Sequence, residues 1–434
     1  MIRAMKDSGI EWIGKIPQDW NLTKIKYCCS IYTGNSISDD EKDNYTNEEN
    51  AISYVATKDI DVDTNAINYD NGLYVPIDNS DFKVAPKDSI LLCVEGGSAG
   101  KKIAYTNRDI CFVNKLCCFN AESDYSSKYI FYSLQCSSFL TEFNLSMSGL
   151  IGGVSTKQLK NIFLSFSSYK EQQAIADYLD KKCGEIDKVV ETEKAVIEKL
   201  KEYKQSVITE AVTKGLDKSV PLKDSGLEWG GQIPVAWQQI KLSELCDRPI
   251  TYGIVKLGDE DPNGVKVLRC SDVQAGFIID KNIRTVSEKL SQEYKRTILR
   301  GGEVVVNVRG TLGGCAIVPR YLSGCNISRE IAMVSVIDAD NRFVMYYLLS
   351  HMFKSYQDYY IRGALYKGLN INLLAKCPIF LPNHTEQKQI VDYLDKKCSE
   401  IDQAIAYKEQ VIEKFTEYKK SLIYECVTGK KEVA

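Results

Sequence analysis

The sequence predicts a mixed α/β protein in which one α/β domain followed by one long helix occurs twice. Two repeats lead to this prediction: a 15-residue segment near the N-terminus recurs 217 residues later, and a long helical segment recurs 215 residues after its first copy. Between the repeats, both halves alternate short apolar runs with glycine-rich turns and amphipathic stretches. That alternation is typical of a mixed α/β domain.

The first repeated segment is Lys6–Trp20 (KDSGIEWIGKIPQDW), and its copy is Lys223–Trp237 (KDSGLEWGGQIPVAW). Ten of their 15 positions are identical, and all four tryptophans of the protein lie in these two segments. Colinear similarity at a constant offset indicates an internal duplication. We therefore expect the two copies to build the same part of the scaffold.

The regions between the repeats diverge but keep nearly the same offset. Ala85–Ala104 aligns with Leu299–Val318 at an offset of 214, and each predicts a buried strand, a glycine-rich turn and a second strand. Ser126–Leu140 and Arg342–Tyr356 predict matching amphipathic helices. The offset of 214 also pairs single residues: Lys115 with Arg329, Glu95 with Arg309, and Leu159 with Leu373.

The longest helical pattern is Glu171–Gly215, and Glu386–Lys430 is its copy, with 13 of the first 17 positions identical. Apolar residues recur there about every 3.5 residues, which predicts a coiled-coil helix about 60 Å long. A single apolar stripe needs a partner helix, and the other copy supplies one. We expect the helices to pack antiparallel, with Glu193 facing Lys408 and fixing their register, although both side chains could instead extend to solvent.

Four segments follow from these repeats. Residues 1–170 form the first α/β domain with its N-terminal repeated segment, and residues 171–217 form the first long helix. Residues 218–385 form the second α/β domain, and residues 386–434 form the second long helix.

Composition places the chain among ordinary globular proteins, with 26% charged and 44% hydrophobic residues. The absence of an 18-residue apolar run and of a signal-peptide core predicts a cytoplasmic protein without a membrane span. The 15 cysteines are expected to be reduced and mostly buried, and with only two histidines we expect no metal site.

Charge alone does not identify a nucleic-acid-binding protein. Residues 1–170 carry 17 Lys+Arg against 21 Asp+Glu, and residues 219–385 carry 20 against 16. The sequence also lacks the short motifs of a self-contained enzyme, namely an NPPY- or DPPY-type tetrapeptide, a glycine-rich AdoMet loop and a GxxxxGK[ST] nucleotide loop. The glycines of Gly96–Lys102 have the wrong spacing for a nucleotide loop and fit a tight turn. We therefore predict no catalytic residues.

The duplicated DSGxEWxGxIPxxW segment, the strand–turn modules and the EQxxIxDYLDKKCxEID opening of each long helix resemble the specificity subunit of type I restriction–modification systems. The resemblance covers essentially the whole chain. It implies two target recognition domains, each reading one half of a split DNA target, joined by an antiparallel two-helix coiled coil that acts as the spacer.

The resemblance also implies the partners. These are double-stranded DNA, two methyltransferase (modification) subunits and restriction (motor/nuclease) subunits. It implies a non-catalytic chain without its own cofactor, since AdoMet, ATP and Mg are expected only in the partner subunits. A coiled-coil adaptor that bridges two protein partners without DNA would have the same domain plan and stays open as an alternative.

DNA contacts are predicted near the strand–turn modules and in the glycine-rich loops Gly149–Gln158 and Gly363–Asn372. Cationic side chains suit phosphates, and arginine in addition suits the two acceptors of guanine, whereas Glu95 could accept from cytosine. The candidates are Lys101, Lys102, Lys115, Lys157, Arg309, Arg329, Tyr366 and Lys367.

Overall fold

A computed structural model of the chain describes residues 3–148, 152–361 and 368–433. Its contacts divide the chain into two units, of which the first comprises Met1–Lys194 and Glu409–Ala434 and the second comprises Ala195–Lys408. Each unit therefore contains one α/β domain and one half of each long helix. None of the helices in the described ranges has the length and apolar character needed to cross a membrane.

The first unit combines short strands with short helices that precede the first long helix. Its strands are β1 (Met5–Asp7), β2 (Lys15–Pro17), β3 (Asn21–Lys24), β4 (Cys29–Thr33), β5 (Ala51–Val55), β6 (Tyr74–Pro76), β7 (Val84–Ala85), β8 (Ile90–Cys93), β9 (Ile103–Tyr105), β10 (Ile110–Phe112), β11 (Leu116–Ala121) and β12 (Phe163–Phe166). Its helices are α1 (Ser127–Ser133), α2 (Ser137–Leu145), α3 (Thr156–Leu159) and the first part of α4 (Tyr169–Lys214).

Two four-stranded sheets form the centre of the first unit. One is antiparallel with the order β4-β11-β8-β9, and the other has the order β6-β5-β10-β7, in which β5 and β10 run parallel. β3 pairs with β12, and β1 pairs with β2. Every residue of β8 is buried, as a continuous apolar run requires, which confirms the buried strand predicted there.

The second unit repeats this plan. Its strands are β13 (Leu222–Asp224), β14 (Gln232–Pro234), β15 (Gln238–Lys241), β16 (Thr251–Tyr252), β17 (Val265–Leu268), β18 (Thr285–Val286), β19 (Val304–Asn307), β20 (Cys315–Ile317), β21 (Asn326–Ile327), β22 (Ile331–Val334) and β23 (Pro378–Leu381). Its helices are α5 (Glu288–Glu293), α6 (Asn341–Leu349), α7 (His351–Ile361), α8 (Ile371–Lys376) and the first part of α9 (His384–Val427).

The main sheet of the second unit has the order β16-β22-β19-β20, which matches β4-β11-β8-β9 strand for strand. The smaller sheet has the order β18-β17-β21, and its parallel β17–β21 pair corresponds to the parallel β5–β10 pair. The pairs β15–β23 and β13–β14 repeat β3–β12 and β1–β2. The same domain is thus built twice, and the predicted tandem duplication is confirmed.

Each amphipathic segment predicted as one helix is two helices. Within Ser126–Leu140 the chain breaks before Cys136, and within Arg342–Tyr356 it breaks at Ser350. Cys136 has φ −67° and ψ 143°, and Ser350 has φ −77° and ψ 161°, so both residues are extended rather than helical. Both side chains are buried, so the core holds the bend.

The two long helices run antiparallel within each unit. In the first unit Asp187 forms a 2.7 Å ion pair with Lys419, and the ammonium of Lys431 lies 5.5 Å from the ring centre of Tyr178. As α4 advances, its partner position on α9 therefore moves back along the chain. In the second unit the equivalent ion pair joins Lys204 and Asp402 at 2.7 Å. The antiparallel helix pair is confirmed.

Glycines set the C-terminal ends of both long helices. α4 ends at Lys214 and Gly215 has φ +76°, while α9 ends at Val427 and Gly429 has φ +68°. The prediction of a second helix over residues 386–434 is therefore too long. A Cβ atom at Gly429 would lie 2.4 Å from Cγ of Pro17, so this helix end also requires the close approach that only glycine permits.

Each long helix holds the repeated N-terminal segment of its own domain through a tryptophan. The indole of Trp20 donates to Glu171 at 3.3 Å, and the indole of Trp237 donates to Glu386 at 3.1 Å. Both indoles are buried, so each needs such an acceptor. The prediction that the two segments build the same part of the scaffold is confirmed by this repeated contact.

The cysteines are structural residues of the cores. All 15 lie among the described residues as unpaired thiols, and all except Cys246 and Cys270 are buried. Burial raises the pKa of Cys111 to about 11, which makes its thiol a poor nucleophile. The predicted burial of most cysteines is confirmed.

Candidate nucleic-acid interface

The second unit has a cleft of about 970 Å³ at one edge of its main sheet. Three neighbouring antiparallel strands place their ends there, because β16 ends at Tyr252, β19 ends just before Val308, and β22 begins just after Glu330. The start of α8 forms the opposite side. The lining residues are Tyr252, Val308, Arg309, Gly310, Arg329, Gly368, Leu369, Asn370, Ile371 and Asn372.

Arg309 is exposed at the end of β19 and is supported by an aromatic ring. Its guanidinium carbon lies 5.9 Å from the ring centre of Tyr252, which is within the range of a cation–π contact. Its backbone N–H donates to the carbonyl of Glu330 at 3.2 Å, so the strand end itself is held in place. The guanidinium is therefore presented at the cleft with a restricted direction.

Arg329 is also exposed and lines the same cleft. Its backbone N–H donates to the carbonyl of Ile254 at 2.8 Å. Neither Arg309 nor Arg329 forms an ion pair with any residue in the described ranges, unlike Arg248 and Arg342, which pair with Glu303 and Asp395. The two cationic groups of the cleft are thus available to an anionic ligand.

A buried amide shapes the turn that follows Arg309. The side-chain N–H groups of Asn307 donate to the carbonyls of Cys270 at 3.0 Å, Val273 at 3.2 Å and Thr311 at 3.1 Å. This network holds the turn in which Gly310 adopts φ +72°. A buried asparagine after a strand therefore positions the cleft without lining it.

The first unit presents its predicted lysines differently. The ammonium of Lys101 donates to the carbonyl of Gly97 at 3.1 Å, and that of Lys102 donates to the carbonyl of Thr57 at 2.9 Å. These two lysines tie down the glycine-rich turn and its neighbour. Lys115 and Lys157 are exposed, on the loop before β11 and on α3.

Other predicted residues are not tested by this geometry. Tyr366 and Lys367 lie outside the described residues. Glu193 belongs to the first unit and Lys408 to the second, so their pairing stays a prediction. Among the candidates, the structure brings together Arg309 and Arg329.

Strand register corrects the pairing of Lys115 with Arg329. Cys93 pairs with Leu116 in the first unit, and the equivalent Asn307 pairs with Ile331 in the second, so the offset at this strand is 215 rather than 214. The second unit has one more residue between these strands. Lys115 therefore corresponds to Glu330, because each of their carbonyls accepts the N–H after the preceding strand, from Val94 at 3.0 Å and from Val308 at 2.8 Å.

The same shift applies to the following loop. The N–H of Val154 donates to the carbonyl of Val94 at 3.0 Å, and the N–H of Leu369 donates to that of Val308 at 2.8 Å. The buried Leu159 therefore corresponds to the buried Leu374 and not to Leu373. A single insertion is invisible in a sequence comparison at constant offset, whereas hydrogen-bond register records it directly.

These registers define the cleft positions in the first unit. Tyr252 corresponds to Thr33, Arg309 to Glu95, and Arg329 to Asn114. The following glycines confirm the match: a Cβ at Gly34 would lie 1.8 Å from the carbonyl oxygen of Phe112, and one at Gly253 would lie 1.7 Å from that of Ile327. Both domains thus share one backbone arrangement around different side chains.

Tyr252 was missed by sequence reasoning. A signal was present, because Thr33–Gly34 and Tyr252–Gly253 both end a strand with a glycine and differ only in the preceding residue. Its offset of 219 departs from the offset of the neighbouring repeats, so alignment at 214 did not bring the two together.

The duplicated α/β domains, each with a divergent set of polar side chains at the same strand ends, define a two-domain recognition protein rather than an enzyme with one central pocket. The chain belongs to the type I restriction modification DNA specificity family, whose model matches residues 17–202 and 234–414. Its place in that family agrees with the resemblance that the repeated segments predicted.

Relatives of the chain are specificity subunits. It is 25% identical over 431 residues to the type I restriction enzyme MjaVIII specificity subunit of Methanocaldococcus jannaschii, covering 96% of this chain and 94% of that protein. It is also 25% identical over 302 residues to the EcoBI specificity subunit of Escherichia coli, covering 67% of this chain and 61% of that protein. The chain thus spans less than two thirds of the E. coli relative.

Solved structures share the fold. One chain from a study of complex assembly and conformational transition of the type I R-M system matches with a TM-score of 0.72 and 15% identity, covering 96% of this chain and 99% of that one. The HsdS subunit from Thermoanaerobacter tengcongensis matches with a TM-score of 0.51 and 16% identity, covering 98% and 100%. The predicted mixed α/β fold class is confirmed.

Proposed function

We propose that this chain is the DNA-sequence-recognition subunit of a type I restriction–modification complex. The domain of each unit reads one half of a bipartite double-stranded DNA target, and the chain positions methyltransferase and restriction subunits for adenine methylation or DNA cleavage. The observation that carries this proposal is that the two units keep the same scaffold contacts while their cleft residues differ.

The unchanged contacts join each domain to the long helices. They are the bonds of Trp20 to Glu171 and of Trp237 to Glu386, and the ion pairs of Asp187 with Lys419 and of Asp402 with Lys204. The changed positions are Thr33 against Tyr252, Glu95 against Arg309, and Asn114 against Arg329. Different base edges demand different donors and acceptors, so this division suits two domains that read different half-sites.

Exchange of one domain tests this assignment. Residues 238–380 are replaced by the corresponding domain of another specificity subunit, and methylated adenines are mapped in a host that expresses the hybrid with its methyltransferase. We expect one half-site to change and the other to be retained. If both half-sites stayed the same, the assignment of one domain to one half-site would be wrong.

We further propose that the chain contributes no catalytic residue and that AdoMet, ATP and Mg are bound by the partner subunits. The modest charge of both domains suits a complex in which those partners supply much of the DNA affinity. Methyl transfer by the purified chain with AdoMet alone would contradict the first statement. Equal affinity of the isolated chain and the assembled complex for the target duplex would contradict the second.

The outer face of the repeated YLDKKC segments is the proposed docking site for the methyltransferase subunits. Leu179, Cys183 and their counterparts are buried, whereas Lys181 and Lys396 are exposed. Because this face occurs twice, it suits two copies of one partner. We expect Lys181→Glu and Lys396→Glu each to reduce the bound methyltransferase from two copies to one, measured by native mass spectrometry; two retained copies would exclude this face.

A further inference from the structure

We propose that Arg309 reads a guanine in the half-site bound by the second unit, and that Arg329 anchors a neighbouring phosphate. This inference rests on the proposed function and deepens it by naming the base and the residue that selects it. It comes from the cleft that Tyr252, Arg309 and Arg329 form at the strand ends.

Arg309 has the geometry of a base-reading side chain. Its guanidinium lies 5.9 Å from the ring centre of Tyr252, and a Cβ at Gly368 would lie 3.5 Å from its Cγ atom, so an aromatic ring and the loop backbone flank its stem. A guanidinium held this way presents two parallel N–H donors in a fixed plane. Guanine O6 and N7 are the matching pair of acceptors on a base edge in the major groove.

Arg329 has the geometry of a phosphate contact. Its backbone is fixed by the 2.8 Å bond to the carbonyl of Ile254, but its exposed side chain has no aromatic ring against it in the described part of the chain. A guanidinium on an unsupported stem can follow a phosphate through several positions, and such contacts set register without reading sequence. The two arginines therefore divide the tasks of selecting a base and holding the backbone.

The first unit cannot make the same guanine contact. Its equivalents of Tyr252, Arg309 and Arg329 are Thr33, Glu95 and Asn114, none of which is cationic. Glu95 is half-buried and pairs through its backbone with Gly153 across the opening. A carboxylate at this position repels guanine O6 and N7, so the readout by Arg309 is confined to one half-site.

The test uses the chain in complex with its methyltransferase and compares Arg309→Lys, Arg309→Met and Arg329→Ala. Methylated adenines mapped in a host genome identify the recognised sequence for each variant. Binding is then measured on four duplexes that differ only at the affected base pair. Arg296→Lys is the matched control, because Arg296 is an exposed arginine of the same unit that does not line the cleft.

We expect both Arg309 variants to relax one G·C position of one half-site, with discrimination against the other base pairs reduced about tenfold or more. The other positions and the other half-site stay unchanged. Arg329→Ala should weaken binding to all four duplexes by one common factor and lower the salt slope of the affinity by about 1. The control should change neither property.

An unchanged recognition sequence in the Arg309 variants would overturn the inference, as would relaxation at an A·T pair or equal weakening on all four duplexes. A changed recognition sequence in Arg329→Ala would overturn the phosphate assignment. Thermal melting of each variant shows that the fold is retained. If the domain exchange moves a half-site while Arg309→Lys leaves it intact, only this inference fails and the proposed function stands.

Discussion

The hydroxyl of Tyr132 donates a 2.6 Å hydrogen bond to the carboxylate of Asp180, and so links the domain of the first unit to its long helix. The same carboxylate accepts from Lys128 at 2.8 Å. The second unit repeats the bond between Tyr346 and Asp395 at 2.8 Å. The aspartate of YLDKKC therefore faces the recognition domain, and the carboxylate raises the pKa of Tyr132 beyond the effect of burial.

Loss of this hydroxyl should loosen each domain from its helix. We expect Tyr132→Phe and Tyr346→Phe each to lower the free energy of unfolding by about 1 kcal/mol, the value for a hydrogen bond to a charged but partly exposed partner. Urea unfolding measures this change. Tyr27→Phe is the control, since Tyr27 is 64% exposed, and an equal loss in that variant would contradict the prediction.

The two helix-opening glutamates should differ in their importance. Glu171 accepts from the Trp20 indole and also forms a 2.5 Å ion pair with Arg3, whose pKa is raised by this contact. Glu386 accepts from the Trp237 indole, and no ion pair joins it to a residue in the described ranges. We expect Glu171→Gln to destabilise the chain by about 1 kcal/mol more than Glu386→Gln, because only the former loses a charge-assisted bond.

Arg3→Met should remove that difference. In this background Glu171→Gln and Glu386→Gln are expected to have equal effects on the urea midpoint. A difference that persists without Arg3 would show that the ion pair is not its source.

A glutamate of α2 should give the first unit an unusual pH dependence. Burial raises the pKa of Glu142 above its ordinary value of 4.5, so folding favours its protonated form. The ionised form therefore costs stability above the folded-state pKa, and this cost disappears as the pH falls below the unfolded-state pKa. We expect Glu142→Gln to stabilise the chain by about 1 kcal/mol at pH 7 and not at about pH 4.

The comparison is made by urea unfolding at both pH values. Glu11→Gln serves as the control, because Glu11 is an exposed glutamate of the same unit. A stabilisation by Glu142→Gln that is independent of pH would rule out ionisation as its cause.

The lysines of the first unit should separate into two groups. Lys102 donates to the carbonyl of Thr57, so Lys102→Met should lower stability by about 1 kcal/mol. Lys115→Met and Lys157→Met should leave stability unchanged and weaken DNA binding equally across sequences, lowering the salt slope by about 1 each if they contact phosphates. Binding of the complex at several salt concentrations measures this, and unchanged slopes would remove both residues from the interface.

The sequence by itself determined the duplication, the long helices and the buried strands. These features depend on local patterns, namely repeated segments, an apolar period of about 3.5 residues and continuous apolar runs between glycines. The burial of Leu179 and Cys183 follows from that period. Even the helix-ending glycine at 215 is visible as a local signal.

Only the tertiary structure decided which residues share the cleft. Tyr252, Arg309 and Arg329 are far apart in the chain, and strand pairing brings them to one edge. A one-residue insertion also changed the true counterpart of Lys115 from Arg329 to Glu330. Register is set by hydrogen bonds between distant strands, so a sequence comparison at constant offset cannot see it.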